Sequence, residues 1–385
     1  MADPGTARGG SSLQWADLPQ GELAPASADA SFRRYFRWQA GERSLIIMDA
    51  PPVHENSEPF VRITGLLQAA GVRVPRIFAQ DLEQGFLLLE DMGAQTYLQY
   101  LQQGVSDAER ERLFAGAISS LIRWQLASRP DVLPEYDEAV LRRELALFPD
   151  WYVARVLERE FSPDEQRLWD AVQQLLLDSN LGEAQVYVHR DYMPRNLMVA
   201  DGEPGVLDFQ DALYGPISYD VTSLFADAFY NWSAVERGQW LTRYWQQAVA
   251  AQLPVPAQLS AFLDQARLMG VQRHLKVLVF LPASVIATAS RTIWLTHRAL
   301  CVTCARPAPM MCGCSRWLSY LIAWGYLRHE GDDSGGGQGR AHASADPAHP
   351  QTAAQGGRQA TTAVAYRGAG GSGAARAGDQ PRLVG

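Results

Sequence analysis

The apolar positions of this chain follow two different repeats. In the first part, short apolar runs alternate with turn residues, and Ser44–Met48 and Phe86–Leu89 are predicted strands. The segment Ala28–Arg37 lies between two predicted strands. Glu58–Ala70 instead repeats its apolar residues at helical spacing and ends before Gly71, which favours a helix with a glycine stop. This part therefore predicts a strand-rich unit that carries one helix.

Helical spacing dominates the next part of the chain, up to residue 277. Asp107–Leu126 and Pro163–Leu177 both carry apolar residues at helical intervals with few breakers. The two patterns together favour an α+β protein that is rich in strands at first and mostly helical up to about residue 277. At 385 residues the chain is long enough to bury the core of such a two-part fold or of two domains.

A strand and then a polar loop interrupt the helical pattern. Val186–Val188 is a short β-rich run that ends at His189, and the next residues contain Pro194 and no helical repeat. The loop places Asp191 two positions after the histidine, and Asn196 five positions after the aspartate. Residues of these types are also common as ordinary caps of loops, so the loop alone does not define a site.

A predicted hairpin comes directly after the loop. Short apolar runs at 197–200 and 206–207 flank the turn residues 201–205, so a tight turn would return Asp208 beside Asn196. Phosphoryl transfer requires a carboxylate that orients the attacking hydroxyl and accepts its proton. It also requires oxygen ligands for the Mg²⁺ that bridges the nucleotide phosphates. The loop and the hairpin together predict a site with both.

The spacing H-x-D-x-x-x-x-N, followed by strand, turn, strand and aspartate, resembles the catalytic loop and metal segment of the protein-kinase-like superfamily. The resemblance makes Asp191 the catalytic carboxylate and Asn196 and Asp208 the Mg²⁺ ligands. Phe209 has no glycine after it, and Gly215–Asp220 resembles the G-x-P-x-x-D-x-A element of the aminoglycoside phosphotransferase and choline kinase family. No activation segment is present after it, so a protein substrate is not expected. The implied fold is bilobal, with a small β-rich N-lobe, residues 1–89, and a larger, mostly helical C-lobe, residues 90–277.

The same resemblance assigns adenine binding to the end of a predicted strand. Residues 90–93, Glu-Asp-Met-Gly, come after Phe86–Leu89 and resemble the hinge between kinase lobes. Backbone groups of Glu90 and Met92 would bind the adenine, and ATP would lie between the lobes as its Mg²⁺ complex. Without the downstream motif, a strand that ends in a plain turn is an equally good interpretation.

The segment that would cover the nucleotide departs from the superfamily pattern. Ala28–Arg37 contains no G-x-G-x-x-G, and Met48 stands near the place of the expected phosphate-binding lysine. Arg33 or Arg34 is a candidate replacement, because a guanidinium binds phosphate through two parallel hydrogen bonds. Solvated loop arginines are the alternative, and the missing lysine leaves open a nucleotide-binding pseudokinase.

A closer resemblance joins five short segments: SFRRYFRW, LIIMDAPP, FLLLEDMG, LFPDWY and HRDYMPRNLMV. Together they are similar to the bacterial kinases that phosphorylate the anomeric hydroxyl of N-acetylmuramate and N-acetylglucosamine in peptidoglycan recycling. The resemblance covers about residues 13–277 and implies ATP, Mg²⁺ and an amino sugar as ligands. Trp151 with Tyr152 is a candidate wall for the sugar ring, although such aromatics also serve in cores. Asp211 is a candidate ligand for a sugar hydroxyl, or a cap of the next segment.

The composition changes at about residue 278. Residues 278–385 are rich in Ala, Arg, Gly, Pro and Ser and contain all four cysteines, at positions 301, 304, 312 and 314. A zinc site is the weaker interpretation of these cysteines, because no flanking secondary structure supports it. Shifting the frame of back-translated codons permits a helical continuation and then a string that resembles the N-terminal signature of sugar nucleotidyltransferases. We therefore interpret 278–385 as an out-of-frame and largely disordered tail.

Charge and composition restrict the expected partners and compartment. The net charge of −8 argues against nucleic-acid binding through bulk electrostatics. We expect neither a secretion signal nor a membrane span, because no apolar run has the required length. The first 277 residues contain no cysteine, so the cytoplasm, where ATP is available, is the expected compartment. A kinase of another small hydroxyl compound, such as an aminoglycoside or choline, is the nearest alternative function.

Overall fold

The computed structural model describes residues 18–28, 32–226, 230 and 232–277. The predicted out-of-frame tail and its cysteines lie outside these residues. In the described part, contacts between residues divide the chain into two compact units. The first contains the described residues of 18–56 together with 78–89, and the second contains those of 57–77 and 90–277.

Five strands form the sheet on which the first unit is built: β1 (Glu22–Ala28), β2 (Arg34–Ala40), β3 (Arg43–Asp49), β4 (Ile77–Asp81) and β5 (Phe86–Glu90). Their order in the sheet is β1-β2-β3-β5-β4, and β2 is antiparallel to both β1 and β3. Gly41, with φ of 60°, allows the tight turn between β2 and β3. Trp38, Leu45 and Leu88 form a buried apolar cluster. The predicted strands at 44–48 and 86–89 are therefore confirmed.

Eight helices make up most of the second unit in the described residues: α1 (Glu58–Ala69), α2 (Tyr97–Leu101), α3 (Asp107–Leu126), α4 (Glu138–Leu147), α5 (Pro163–Leu181), α6 (Tyr219–Phe225), α7 (Ala234–Ala250) and α8 (Leu259–Val277). α3 has its predicted bounds, and the Ser106 side chain caps it by accepting from the backbone N–H of Glu109. α5 continues beyond the predicted Leu177 because its buried stripe extends to Asn180. No helix of the described residues is both long and apolar enough to cross a membrane.

The helix predicted between the early strands is present as α1. Its contacts group it with the helical second unit, whereas the sequence pattern assigned it to the β-rich part. Phe60, Ile63 and Leu67 form its buried stripe. The Phe60 ring lies 4.8 Å from the ring of Phe209, centroid to centroid, so part of that stripe packs on the segment after the predicted hairpin.

Four short strands and a 3₁₀ turn make up the region of the polar loop: β6 (Gln185–Val188), β7 (Leu197–Met198), β8 (Gly205–Val206), β9 (Leu213–Pro216) and the turn Pro194–Asn196. A π-helix (Phe148–Val156) lies between α4 and α5. β6 is antiparallel to β9, and β7 is antiparallel to β8. The predicted order of strand, loop and hairpin is therefore confirmed.

Candidate active site

The hairpin of β7 and β8 brings the two predicted metal ligands together. Leu197 pairs with Val206, and the backbone N–H of Leu207 donates to the carbonyl of Asn196 over 2.9 Å. Beyond this pairing, Asn196 Nδ2 donates to Asp208 Oδ2 over 3.2 Å. The predicted adjacency of Asn196 and Asp208 is confirmed, while their role as metal ligands stays a prediction.

The backbone at Asp208 turns its carboxylate away from the core. Asp208 has a φ of 64°, in the left-handed region that residues other than glycine seldom adopt. Its side chain is exposed, and Oδ1 accepts from Gln210 Nε2 over 2.8 Å. The next residue, Phe209, is fully buried against Phe60. The buried ring anchors the segment and so directs the carboxylate outward.

His189 is a neutral anchor of the polar loop. Burial lowers the pKa of His189 to about 4, so its ring is uncharged at neutral pH. The backbone N–H of Asp191 donates to Nδ1 over 3.3 Å, which leaves Nε2 to donate to the carbonyl of Leu207 over 3.0 Å. These two bonds tie the loop to the hairpin and give the histidine a structural role.

Asp220, near the start of α6, holds the backbone of the loop. Its two oxygens accept from the backbone N–H groups of His189, over 2.6 Å, and Arg190, over 3.0 Å. Arg190 has a φ of 75°, which is strained for a residue with a Cβ. Burial raises the pKa of Asp220 to about 7, against the opposing effect of these N–H groups. Asp220 is therefore a positioning residue for the loop.

Asp191 is half-buried beside a cluster of positive charge. Its backbone carbonyl accepts from Asn196 Nδ2 over 2.9 Å, which links the aspartate to the candidate metal ligands. Burial acts to raise the pKa of Asp191, but the charges of Lys276, Arg273 and Arg190 outweigh it and hold that pKa below its usual range. The carboxylate is therefore ionised at neutral pH, as a proton acceptor must be.

Glu144 of α4 is the buried carboxylate that pairs with these cations. Its Oε1 lies 2.6 Å from Arg190 Nη2 and 3.1 Å from Lys276 Nζ. Its Oε2 accepts from the hydroxyl of Tyr136 and, over 2.8 Å, from Gln272 Nε2. Burial acts to raise the pKa of Glu144, but Lys276 and Arg190 outweigh it and lower that pKa to about 2. Glu144 is therefore charged and fully engaged.

Arg273 supports the loop from α8. Its Nη1 donates over 2.8 Å to the backbone carbonyl of Arg190, which fixes the peptide group that leads into Asp191. Its guanidinium carbon lies 4.6 Å from the ring centroid of Tyr219. Arg273 and Lys276 are three residues apart and so lie on the same face of α8. The last described turns of this helix thus contact the candidate catalytic loop.

The two predicted sugar contacts are both exposed. The backbone carbonyl of Asp211 accepts from Arg190 Nη1 over 3.5 Å, so Asp211 lies next to the loop. Trp151 is 52% exposed on the π-helix, and the Arg155 guanidinium lies 5.6 Å from its ring centroid. Tyr152 is fully buried, so the suggested aromatic wall cannot include it. Sugar binding by Asp211 and Trp151 stays a prediction.

The predicted adenine-binding residues lie at and just beyond the end of β5. The backbone N–H of Glu90 donates over 2.8 Å to the carbonyl of Arg76, and the Glu90 carboxylate accepts from the backbone N–H of Arg76 over 3.3 Å. Met92 is buried and packs against Gly205 of β8, where an added Cβ would lie 2.3 Å from Met92 Cε. The fold therefore commits the N–H of Glu90 to Arg76, and adenine binding here stays a prediction.

The two candidate phosphate-binding arginines differ in how they are held. Arg33 Nη2 lies 3.1 Å from Glu55 Oε2, and the two side chains are only 10% and 14% exposed. Arg34 pairs with Asp49, its neighbour across the β2–β3 ladder, and its side chain is 64% exposed. Arg33 is therefore the more firmly placed of the two, while phosphate binding by either stays a prediction.

The donor set at Asn196 and Asp208 fits a magnesium ion that shares its coordination with phosphates. Both hydrogen bonds of the Asn196 amide use Nδ2, so Oδ1 is its acceptor atom for a cation. Mg²⁺ prefers such hard oxygen ligands and usually takes one or two from protein, completing its shell with phosphate and water. Among the described residues, no three His, Cys, Asp or Glu side chains are grouped so that they would hold a metal without that help.

Sequence reasoning missed three residues of this site, namely Glu144, Arg273 and Lys276, and it quoted Asp220 within a motif without assigning it a role. Glu144 lies 46 positions before Arg190, so no local spacing joins them. For Lys276, the sequence contained one indication, which is the rarity of lysine. The chain has 34 basic residues, and Lys276 is the single lysine among them.

The class of the protein is shown by comparison with known families. Residues 22–262 match the phosphotransferase enzyme family (APH). This span exceeds half of the chain and includes the polar loop and the hairpin that carry Asp191, Asn196 and Asp208. The chain therefore belongs to the phosphotransferase enzyme family, whose kinases use ATP, and the predicted resemblance is confirmed.

Individual relatives narrow the comparison. A Pseudomonas aeruginosa protein named N-acetylmuramate/N-acetylglucosamine kinase is 56% identical over 264 residues, which are 69% of this chain and 77% of that protein. A Neisseria meningitidis protein of the same name is 45% identical over 257 residues, 66% of this chain and 76% of its own. A solved amicoumacin kinase in complex with AMP-PNP and Ca²⁺ is 15% identical, with 70% of this chain and 86% of that chain covered and a TM-score of 0.50. That similarity shows the kinase-like fold.

Proposed function

We propose that this chain is an ATP- and Mg²⁺-dependent kinase that phosphorylates the anomeric (C1) hydroxyl of N-acetylmuramate and N-acetylglucosamine. The observation that carries the proposal is the pair of hydrogen bonds by which Asn196 joins the backbone carbonyl of Asp191 to the carboxylate of Asp208. Such a constellation suits a hydroxyl acceptor and a metal-bound phosphate. The choice of sugar rests on the names of relatives that are 56% and 45% identical to this chain.

In the proposed reaction, Asp191 accepts a hydrogen bond from the C1 hydroxyl and directs its oxygen at the γ-phosphorus. As the new O–P bond forms, the bond from the γ-phosphorus to the bridging oxygen of ADP breaks, and the hydroxyl proton passes to Asp191. An anomeric hydroxyl is more acidic than an ordinary alcohol because the ring oxygen withdraws electrons. A carboxylate with a lowered pKa therefore suffices, and its main contribution is orientation.

The nucleotide is held by the segments that the family resemblance indicated. Backbone groups of Glu90 and Met92 bind adenine. Asn196 Oδ1 and the Asp208 carboxylate would hold Mg²⁺, which would supply positive charge to the phosphates. The outward direction of Asp208, enforced by the buried Phe209, supports this assignment.

We choose Arg33 rather than Arg34 as the phosphate ligand, because its contacts hold it more firmly. Glu55 Oε2 pairs with Arg33, and Glu55 Oε1 accepts from the backbone N–H of Phe32 over 3.1 Å. The same carboxylate thus fixes both the backbone and the side chain of the segment that would cover the nucleotide. A preorganised guanidinium binds phosphate at a smaller entropic cost than the mostly exposed Arg34 would.

The sugar side of the site is assigned to exposed groups near the loop. Asp211 binds a sugar hydroxyl, which its position next to Arg190 supports. Trp151 offers an exposed ring face to the sugar. The product would be a sugar 1-phosphate in the cytoplasm, the substrate type of a nucleotidyltransferase in peptidoglycan recycling.

Met48 favours a second candidate, a nucleotide-binding protein that transfers no phosphate. Met48 is fully buried in β3 and pairs with Tyr35 across the ladder, near the place where the superfamily has its phosphate-binding lysine. Binding of ATP without release of ADP in the presence of any acceptor would identify this function. Including aminoglycosides and choline among the acceptors tests the nearer alternative in the same assay.

Phosphorus NMR of the purified protein with Mg-ATP and each sugar tests the proposal. We expect a new anomeric phosphate signal from the wild type. Asp191→Asn should lower kcat by ~10²–10⁴ and leave ATP binding nearly unchanged, because it removes the proton acceptor but keeps the shape. Asp201→Asn, at an exposed position of the β7–β8 turn, is the matched control and should match the wild type. Full turnover by the Asp191 variant would remove that residue from the mechanism.

A further inference from the structure

The positive cluster beside Asp191 contains more charge than the proposed phosphoryl transfer uses. Arg190, Arg273 and Lys276 contribute three positive charges around one end of the polar loop. Arg273 is committed to the backbone carbonyl of Arg190 and to the ring of Tyr219. Arg190 and Lys276 share a single oxygen of Glu144, and Arg190 Nη1 also donates to the backbone carbonyl of Asp211. The ammonium of Lys276 has three N–H donors, and its contact with Glu144 uses one of them.

The side chains of Arg190 and Lys276 are more exposed than the carboxylate of Glu144 that they share. The Glu144 side chain is only 5% exposed, whereas those of Arg190 and Lys276 are 21% and 17% exposed. The two cations are therefore more accessible to a bound molecule than the carboxylate that they share. Tyr136 and Gln272 occupy the other oxygen of Glu144, so the carboxylate has little capacity for a further ligand.

Two carboxylates of the cluster are already engaged. Glu144 pairs with Arg190 and Lys276, and Asp220 is committed to the backbone N–H groups of His189 and Arg190. A cation that keeps further hydrogen-bond donors in a partly buried site favours an anionic ligand.

We propose that Lys276, assisted by Arg190, binds the carboxylate of an acidic amino sugar whose anomeric hydroxyl lies at Asp191. This inference rests on the proposed function. N-acetylmuramate differs from N-acetylglucosamine by one group, a lactyl ether on the third carbon that ends in a carboxylate. A cation near Asp191 is therefore the feature that distinguishes the two sugars, and Lys276 is a specificity-determining residue.

A purely structural role for Lys276 predicts different behaviour. If its ammonium served only to balance Glu144 or to keep Asp191 ionised, its loss would affect every acceptor alike, because both sugars present the same hydroxyl. Recognition of the lactyl carboxylate affects only the sugar that has one. The ratio of kcat/KM for N-acetylmuramate to kcat/KM for N-acetylglucosamine separates the two roles.

Lys276→Met tests this ratio because it keeps the length of the side chain and removes the charge. We expect the ratio to fall about tenfold, mainly through KM for N-acetylmuramate. Lys276→Arg keeps a cation and should recover most of the preference. Arg267→Met, on the same helix but paired with Asp264 at the surface, is the control and should leave the ratio unchanged. Equal losses for both sugars, or no loss for either, would overturn the proposal.

A second measurement needs neither a variant nor turnover. Because Lys276 is the single lysine of the chain, protein grown with lysine labelled by ¹³C at Cε gives one side-chain Cε signal. We expect this signal to shift saturably on addition of N-acetylmuramate and far less with N-acetylglucosamine, without ATP. Equal responses to both sugars would refute carboxylate binding. A selective shift without phosphorylation of either sugar would refute the proposed kinase activity and leave the carboxylate site standing.

Discussion

Glu144 should contribute unusually strongly to stability for a single side chain. Glu144→Gln keeps its shape but leaves Arg190 and Lys276 without their shared negative charge. The pKa of Glu144 falls from 4.5 to about 2 on folding, which corresponds to about 3 kcal/mol. Removal of one partner from a buried ion pair costs a similar ~3–5 kcal/mol. We therefore expect the free energy of unfolding to fall by about 3 kcal/mol.

Urea unfolding followed by circular dichroism measures this loss. The matched control is Glu138→Gln on the same helix, because Glu138 is 56% exposed and pairs with Arg142 at the surface. Such an exposed pair contributes about 0.3–0.5 kcal/mol. Similar losses in the two variants would refute the reasoning that burial makes the Glu144 pair strong.

The pH dependence of the same experiment gives an independent check. Because the pKa of Glu144 is lowered in the folded state, its contribution to stability is complete above pH 4.5 and is lost as the pH falls towards 2. The difference between the wild type and Glu144→Gln should therefore be constant between pH 5 and 7. It should narrow steadily below pH 4.5. A difference that does not narrow in acid would assign the stability to shape or hydrogen bonding rather than to charge.

Two further predictions concern the loop and the nucleotide. Arg33→Met should raise KM for ATP about tenfold with little change in KM for the sugar. Arg34→Met, at the exposed neighbouring position, should change either KM less than twofold. Equal effects of the two variants in steady-state assays would contradict the choice of Arg33. Asp220→Asn places an amide donor against two backbone N–H groups, so kcat should fall by ~10²-fold or more at nearly unchanged KM for ATP. A wild-type kcat in that variant would show that the loop keeps its strained conformation without Asp220.

The part of the site that sequence could predict is the part that is local. Asp191 and Asn196 belong to one loop, and a two-strand hairpin with turn residues between its strands leads directly to Asp208. Strand, turn and helix signals act over a few residues, so they indicated this geometry without any tertiary contact. The bounds of α3 could be predicted for the same reason, since its cap Ser106 and its apolar repeat are both in the segment itself.

The parts that sequence could not predict depend on distant contacts or on irregular geometry. Glu144 and Gln272 meet across 128 positions, and nothing in either segment indicates the other. The π-helix at 148–156 has a wider repeat than the α-helix, so helical spacing does not tell which of its aromatics face outward. Tyr152 is buried there, while its neighbour Trp151 is exposed. Both aromatic residues were interpreted as one wall for the sugar ring, although only Trp151 is exposed.

The contacts of α8 also determine when during synthesis the site is complete. Arg273 lies 83 positions after Arg190, whose carbonyl it holds, so the ribosome delivers the loop well before its support. At ~5–20 residues per second this interval lasts roughly 4–17 s. During that time the strained peptide before Asp191 lacks one of its anchors, and the cluster lacks both cations of α8. A nascent chain that ends before Lys276 therefore contains the whole catalytic loop and hairpin but not the charge environment in which Asp191 works.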